Sequence, residues 1–313
     1  MSPPLSGEVE ARPLTDAPNP SAWKHQLEKW LPQIAISPAL TLCIIFFYGL
    51  AVWVGMISFT DSAGMPSYNW VGFDKYVALW NDDYWWEAVK HLLVFAPLAV
   101  GLPLLLGAIL AIFLDQKIRF EGGFRTIYLY PLALSSVVTG TIWRWMLAPD
   151  TGIEAWLHSI GMQNASFAWL VESDKVLFAL AIVAIWQSTG FVMAMFVAGL
   201  RGIDDSIFKA AMLDGASLPR VYWRIILPIL RPTLFSALLL LLPAALKSAE
   251  LVIVMTQGGP GQSSTLPAYY MYDRFFTRAQ MGLGSASGMI IMMMCISIAV
   301  PYVMMELKRS RHE

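Results

Sequence analysis

Six stretches of about 20 consecutive apolar residues, near 34–58, 92–114, 127–147, 175–200, 230–256 and 283–305, constrain this chain more than any other feature. An α-helix needs about 20 residues to cross roughly 30 Å of hydrocarbon, and a helix satisfies its own backbone hydrogen bonds there without water. The chain's 57% hydrophobic and 14% charged residues rule out the alternative of one large soluble core, because a domain of this length buries only about 75% of its surface. The reading is an all-α integral membrane protein with six transmembrane helices over residues 31–307. An N-terminal tail (1–30) and a C-terminal tail (308–313) flank them. The first 30 residues hold five prolines and no apolar core of a secretory signal, so a flexible tail and then a short juxtamembrane helix from about Ala22 are expected.

Direction follows from the basic residues, which short cytoplasmic segments retain. Of 21 Lys and Arg, 14 fall before span one, between spans two and three, between four and five, and after six; five fall on the opposite side and two, Arg144 and Lys247, within spans. Both termini are therefore expected in the cytoplasm. Trp70, Trp80, Trp85 and Trp86 in the first outer segment, with Trp143 and Trp145 closing span three, suit an interfacial aromatic belt.

The charge balance of 21 basic against 22 acidic residues shows no block suited to nucleic acid. Cys43 and Cys295 both lie in apolar stretches, which fits packing and excludes a CxxC clip. His25, His91, His158 and His312 are scattered, and no HExxH, GxSxG, GxGxxG or Walker A pattern occurs. Neither a metal nor a cofactor is expected on this chain.

The cytoplasmic segment 201–229 is longer than a simple connection needs, and its residues read as helix, turn, helix. Asp204 or Asp205 suits the cap of a helix from about Ser206. Gly215 suits its end, and a second helix begins near Ser217 with Pro219 in its first turn. Within it, Lys209-Ala210-Ala211, three residues, Gly215, nine residues, then Ile225-x-Leu227-Pro228 resembles the EAA loop of permease subunits in binding-protein-dependent ABC importers. The family's pattern opens with Glu where this chain has Lys209. Ser58-Phe59-Thr60-Asp61, Trp143-Arg144-Trp145-Met146 with Pro149-Asp150-x-Gly152, Asp214-Gly215-Ala216, and Thr256-x-Gly258-Gly259-Pro260 extend the resemblance over residues 34–305. They are similar to the maltose-type carbohydrate importers, in particular the first of their two non-identical permeases.

The resemblance implies the type I importer permease fold in a bacterial inner membrane, with the EAA loop as the coupling element and Gly258, Gly259 and Pro260 beneath the docking face of a binding protein. It also implies the partners: a second permease, a cytoplasmic ATPase homodimer that carries ATP and Mg, and an extracytoplasmic sugar-binding protein. A monosaccharide such as glucose or mannose is the preferred cargo by this resemblance, with glycerol phosphate and an oligosaccharide left open.

The candidate substrate path comes from polar groups inside spans. Trp186, Gln187 and Ser188 interrupt span four, and a ring beside an amide suits a sugar's C–H face and hydroxyls. Lys247 and Glu250 lie in span five with i, i+3 spacing, so on a continuous helix they share a face and can neutralise one another. Charges at such depth point into the bundle or a wet cavity. Arg144, beside the outer end of span three, reads as an interfacial anchor. Ser135, Ser136, Thr139 and Thr141 read as packing residues, as do Met292, Met293 and Met294. A rival reading is an ion-coupled secondary transporter of a small polar solute with Lys247 and Glu250 as its coupling pair, although no second copy of the 201–229 pattern supports the internal repeats usual there.

Overall fold

The computed structural model describes residues 20–116, 120–149, 151–163 and 166–309. Asp150, Lys117 and Arg119, most of the expected N-terminal tail and the last four residues lie outside them. Apart from two isolated bridges, Thr60 with Trp70 and Ala63 with Met65, regular structure among the described residues is helical. The chain divides into two compact units, Met1–Trp53 and Val54–Glu313.

In the first unit, α1 (Pro20–Cys43) leads into a π turn (Ile44–Gly49). The expected juxtamembrane helix and first span are thus one run, which continues as α2 (Leu50–Ile57). Pro32 and Pro38 are accommodated within α1.

The second unit is built around two long helices, α4 (Asp83–Asp115) and α8 (Val176–Arg201). Span two was expected to begin near residue 92; the helix starts nine residues earlier because Asp82 caps it, its carboxylate accepting the Tyr84 amide hydrogen at 3.0 Å. Glycines set the close approaches of α8. A Cβ on Gly107 of α4 would sit 2.7 Å from Val192, and one on Gly190 would overlap the Tyr128 carbonyl of α5 (Glu121–Ala133). Around them lie α3 (Asp74–Trp80), α6 (Ser136–Met146), α7 (Ile153–Ser159), α9 (Asp205–Leu213), α10 (Leu218–Val221), α11 (Leu227–Ile229), α12 (Arg231–Leu246), α13 (Ala249–Met255), α14 (Pro267–Tyr272) and α15 (Met281–Arg309).

The helices Trp30–Ile57, Asp83–Asp115, Val176–Arg201 and Met281–Met304 are each long and apolar enough to cross a membrane. Spans three and five, expected to be continuous, are each broken in two. Span three becomes α5 and α6, separated where Leu134 turns extended (φ −82°, ψ 138°) just after Pro131 and Ser135 caps the new helix through the Val137 amide at 3.2 Å. Span five becomes α12 and α13, separated at Lys247 and Ser248, with Pro243 in the last turn of α12. A further bend of 64° at Leu230 separates α12 from the preceding Leu218–Ile229 segment.

Candidate functional site

The two breaks face one cavity of about 410 Å³. Its polar lining is Ser136 from the start of α6, Gln187 and Ser188 from α8, and Lys247, Ser248 and Glu250 from the α12–α13 break; Ala99, Phe191 and Leu240 are among its apolar walls. Irregular backbone at membrane depth is tolerated where it lines such a cavity, and broken helices at midplane sites are a recurrent transporter device. Four of the five residues expected on the substrate path therefore converge here. Trp186 does not line the cavity; its ring meets Trp143 edge-on at 5.8 Å.

The i, i+3 pairing of Lys247 with Glu250 is corrected by this geometry. Lys247 is the C-cap of α12 and Glu250 sits in the first turn of α13, so the two are not successive turns of one helix. No ion pair joins them among the described residues, and both are exposed to the cavity. Gln187 has a second task. Its Nε2 donates to the Leu134 carbonyl at 3.1 Å, a group that the α5–α6 break frees from helical pairing. Arg144 is exposed and donates Nη1 to the Val254 carbonyl at 3.3 Å. Thr139 is buried with a hydroxyl that has no partner among the described residues, whereas Thr141 bonds its own helix at Val137.

The 201–229 loop folds as helix, turn, helix. The Asp204 carboxylate accepts the Ser206 amide hydrogen at 2.8 Å, which holds its acid below the usual range. The α9 end is a Schellman turn: Ala216 N–H bonds Ala211 O at 3.0 Å, Gly215 N–H bonds Met212 O at 3.1 Å, and Gly215 takes φ +75° with open space about its α-carbon. Of the motif residues, Ala211 is buried, Ile225 and Leu227 are half-buried, and Lys209, Ala210, Asp214, Gly215 and Pro228 are exposed. Leu213 (89% exposed) and Trp223 (71%) stand out on the loop as large exposed apolar side chains, a signal that the EAA pattern does not carry.

The Gly258-Gly259-Pro260 turn is anchored rather than free. Gly258, at φ +83°, is buried against Tyr269, where a Cβ would come within 2.6 Å of the ring. Ser264 donates to the Gly259 carbonyl at 2.7 Å, and Tyr269 donates to Gln257 O at 2.6 Å. Burial pushes the Tyr269 hydroxyl up to about 12. Behind the turn lies a cluster that sequence reading missed. Asp82 accepts from Tyr270 Oη and Arg274 Nη2, both at 2.7 Å, and the Arg274 guanidinium lies 5.0 Å from the Tyr270 ring centre. Asp82 and Arg274 are 192 positions apart, so no local spacing could reveal them.

Comparison with known proteins assigns the chain. Residues 103–309 match the family described as binding-protein-dependent transport system inner membrane component. The chain is 38% identical over 268 residues to a probable ABC transporter permease protein of Pyrococcus horikoshii, covering 85% of this chain and 92% of that one. It is 32% identical over 297 residues to the xylose/arabinose import permease protein XacH of Haloferax volcanii, covering 92% and 93%. The fold is shared with a chain of a bacterial ABC transporter involved in the import of the acidic polysaccharide alginate, at a TM-score of 0.78 and 22% identity over 92% of this chain and 99% of that one. An ion-coupled carrier is not favoured by these matches. With its helical bundle, broken spans and polar-lined cavity, the chain belongs to the binding-protein-dependent inner membrane component family: it is a multi-pass permease subunit of an ABC importer, whose ATP hydrolysis resides on a separate subunit.

Proposed function

We propose that this permease carries a sugar, and that the cavity between the two broken spans is its half of the translocation pathway. The observation that carries the reading is the convergence of Gln187, Ser188, Lys247 and Glu250 on one cavity with Phe191 in its wall. An amide, hydroxyls, an unpaired ammonium and an unpaired carboxylate supply donors and acceptors for a ring of hydroxyls, while the aromatic and aliphatic walls suit its C–H faces. One cation and one anion leave these lining residues without net charge, which favours a neutral sugar over an acidic one. The pentose named for XacH is a neutral sugar, in keeping with this reading.

Segment 201–229 docks on a cytoplasmic ATPase homodimer that binds ATP and Mg, with Lys209, Ala210, Ala211, Asp214, Gly215, Ile225, Leu227 and Pro228 forming its scaffold. A second, non-identical permease completes the path. An extracytoplasmic sugar-binding protein docks near Gly258, Gly259 and Pro260. Both termini lie in the cytoplasm of a bacterial inner membrane, and 31–307 is the membrane domain. The asymmetry of the basic residues supports this orientation.

The test is sugar uptake into proteoliposomes that hold the whole complex, driven by internal ATP and external loaded binding protein. Gly215→Val places a β-branched residue at φ +75° and is expected to cut uptake at least tenfold while the binding protein no longer stimulates ATP hydrolysis. Normal uptake by this variant would remove 201–229 from the coupling role. Cysteines at positions 212 and 262 should react with impermeant maleimide from the cytoplasmic and outer sides respectively, and the reverse labelling would overturn the orientation.

A further inference from the structure

We infer that this permease binds an anionic phospholipid at its cytoplasmic end, with an acyl chain in the groove between α4 and the second helix of the 201–229 loop and the headgroup phosphate at Arg220 and Arg224. The groove, of about 330 Å³, is walled by Leu105, Ile109, Ile112 and Phe113 of α4 and by Pro219 and Trp223. Only Gln116 and Tyr222 bring polar side chains to it, and the Tyr222 hydroxyl is already committed, donating to Asp115 Oδ2 at 3.0 Å. Such a lining offers a water-soluble ligand almost nothing to bond.

Its length fits a lipid chain in one leaflet. From Leu105 to Gln116 α4 rises about 16 Å at 1.5 Å per residue, about half of a roughly 30 Å hydrocarbon layer. Leu105, Phe113 and Trp223 are exposed, so the groove opens sideways rather than into the protein.

Charge selects the headgroup. Pro219 and Trp223 line the groove one helical turn apart, and the next residues in the chain, Arg220 and Arg224, are likewise one turn apart. Both arginines are exposed, and neither has an ion-pair partner among the described residues. Asp115 and Asp205 lie beside Tyr222 in the adjoining cavity together with Arg201, and with Arg220 and Arg224 the basic side chains of this end outnumber those two acids three to two. Guanidinium pairs phosphate by two parallel hydrogen bonds, and basic pockets beside membrane helices on the cytoplasmic side select anionic lipids. The inference rests on the proposed orientation, but its readout is lipid retention, which does not depend on sugar uptake.

The experiment is native mass spectrometry of the whole complex released from nanodiscs of phosphatidylglycerol or of phosphatidylcholine. At least one phosphatidylglycerol should be retained per permease, at least fivefold in preference to phosphatidylcholine. The double variant Arg220→Gln/Arg224→Gln should abolish the preference, and Ala108→Phe, which fills the groove wall, should abolish retention. A photoactivatable phosphatidylglycerol on the unmodified complex tests the same site without a substitution, and its label should map to residues 105–116 or 218–227. Equal retention of the two lipids, or label confined elsewhere, overturns the inference. So does a cysteine at position 108 that cross-links to a helix of the second permease instead of meeting lipid. If the maleimide test reversed the orientation while retention and labelling held, the lipid site would stand and only its leaflet would change.

Discussion

Two sets of charged residues in this molecule are held in opposite ways. At the start of α4, Asp82 and Arg274 are joined at 2.7 Å with side chains only 21% and 13% exposed, and Tyr270 and the α4 amide complete the carboxylate's bonds. In the cavity, Lys247 and Glu250 lie three residues apart and do not pair. Desolvated charges are costly unless they are paired and hydrogen-bonded, so this cluster, in which only the Arg274 Nε lacks a partner among the described residues, is structural: it ties α4 to the Tyr270–Arg274 segment behind the Gly258 turn. Unpaired charges persist where water or a ligand supplies the missing bonds, so the cavity pair is available to cargo. Proximity in sequence is therefore a poor guide to which charges serve stability.

The largest expected effect tests the paired half of that contrast. Arg274→Met leaves the Asp82 carboxylate with one strong donor fewer in a poorly hydrated place, a loss of about 3 kcal/mol. Thermal unfolding of the purified complex in detergent should show it as a marked fall in midpoint and in yield. An unchanged midpoint would mean that water already satisfies Asp82.

Next come the cavity charges. Lys247→Met and Glu250→Gln should each stay within about 0.5 kcal/mol of the parent in stability while sugar uptake falls about tenfold, the equivalent of about 1.4 kcal/mol of lost interaction. The double variant should not recover uptake. Should either single variant destabilise as Arg274→Met does, and the double restore the fold, the two side chains would be an ion pair and the contrast would fail.

Gln187 stands between the two classes, since it both lines the cavity and holds the Leu134 carbonyl. Gln187→Leu should cost about 1 kcal/mol in stability and lower uptake less than the charge variants, because cavity water can replace the lost bond to the freed carbonyl. Gln187→Glu separates the roles, for it keeps a polar side chain in the cavity and removes the donor. Parent-like stability for both would show that the bond contributes nothing to the break.

Much of this arrangement was legible in the residues. The helix, turn, helix of 201–229 follows from local chemistry: a carboxylate at the N-terminus, glycine where φ must be positive, and proline in a first turn. Span four is placed to within a residue at each end, because a long apolar run with no internal proline has one low-energy answer. The breaks in spans three and five were not legible. Pro97 and Pro103 sit inside an unbroken α4, whereas Pro131 and Pro243 precede breaks, so proline alone does not say which helix parts. Neighbouring groups complete the difference, as Gln187 of α8 does by meeting the carbonyl at Leu134.

By itself, then, the sequence determined the class of this protein and its helical punctuation, since apolar length and capping are properties of one helix and its ends. Tertiary structure alone decided which polar groups are spent on one another and which remain free. Asp82 meets Arg274 across 192 positions, Gln187 meets Leu134 across 53, and Lys247 misses Glu250 across three. The physical reason is that a polar group in a low-dielectric bundle takes the nearest partner in space, and that partner is set by how the helices cross.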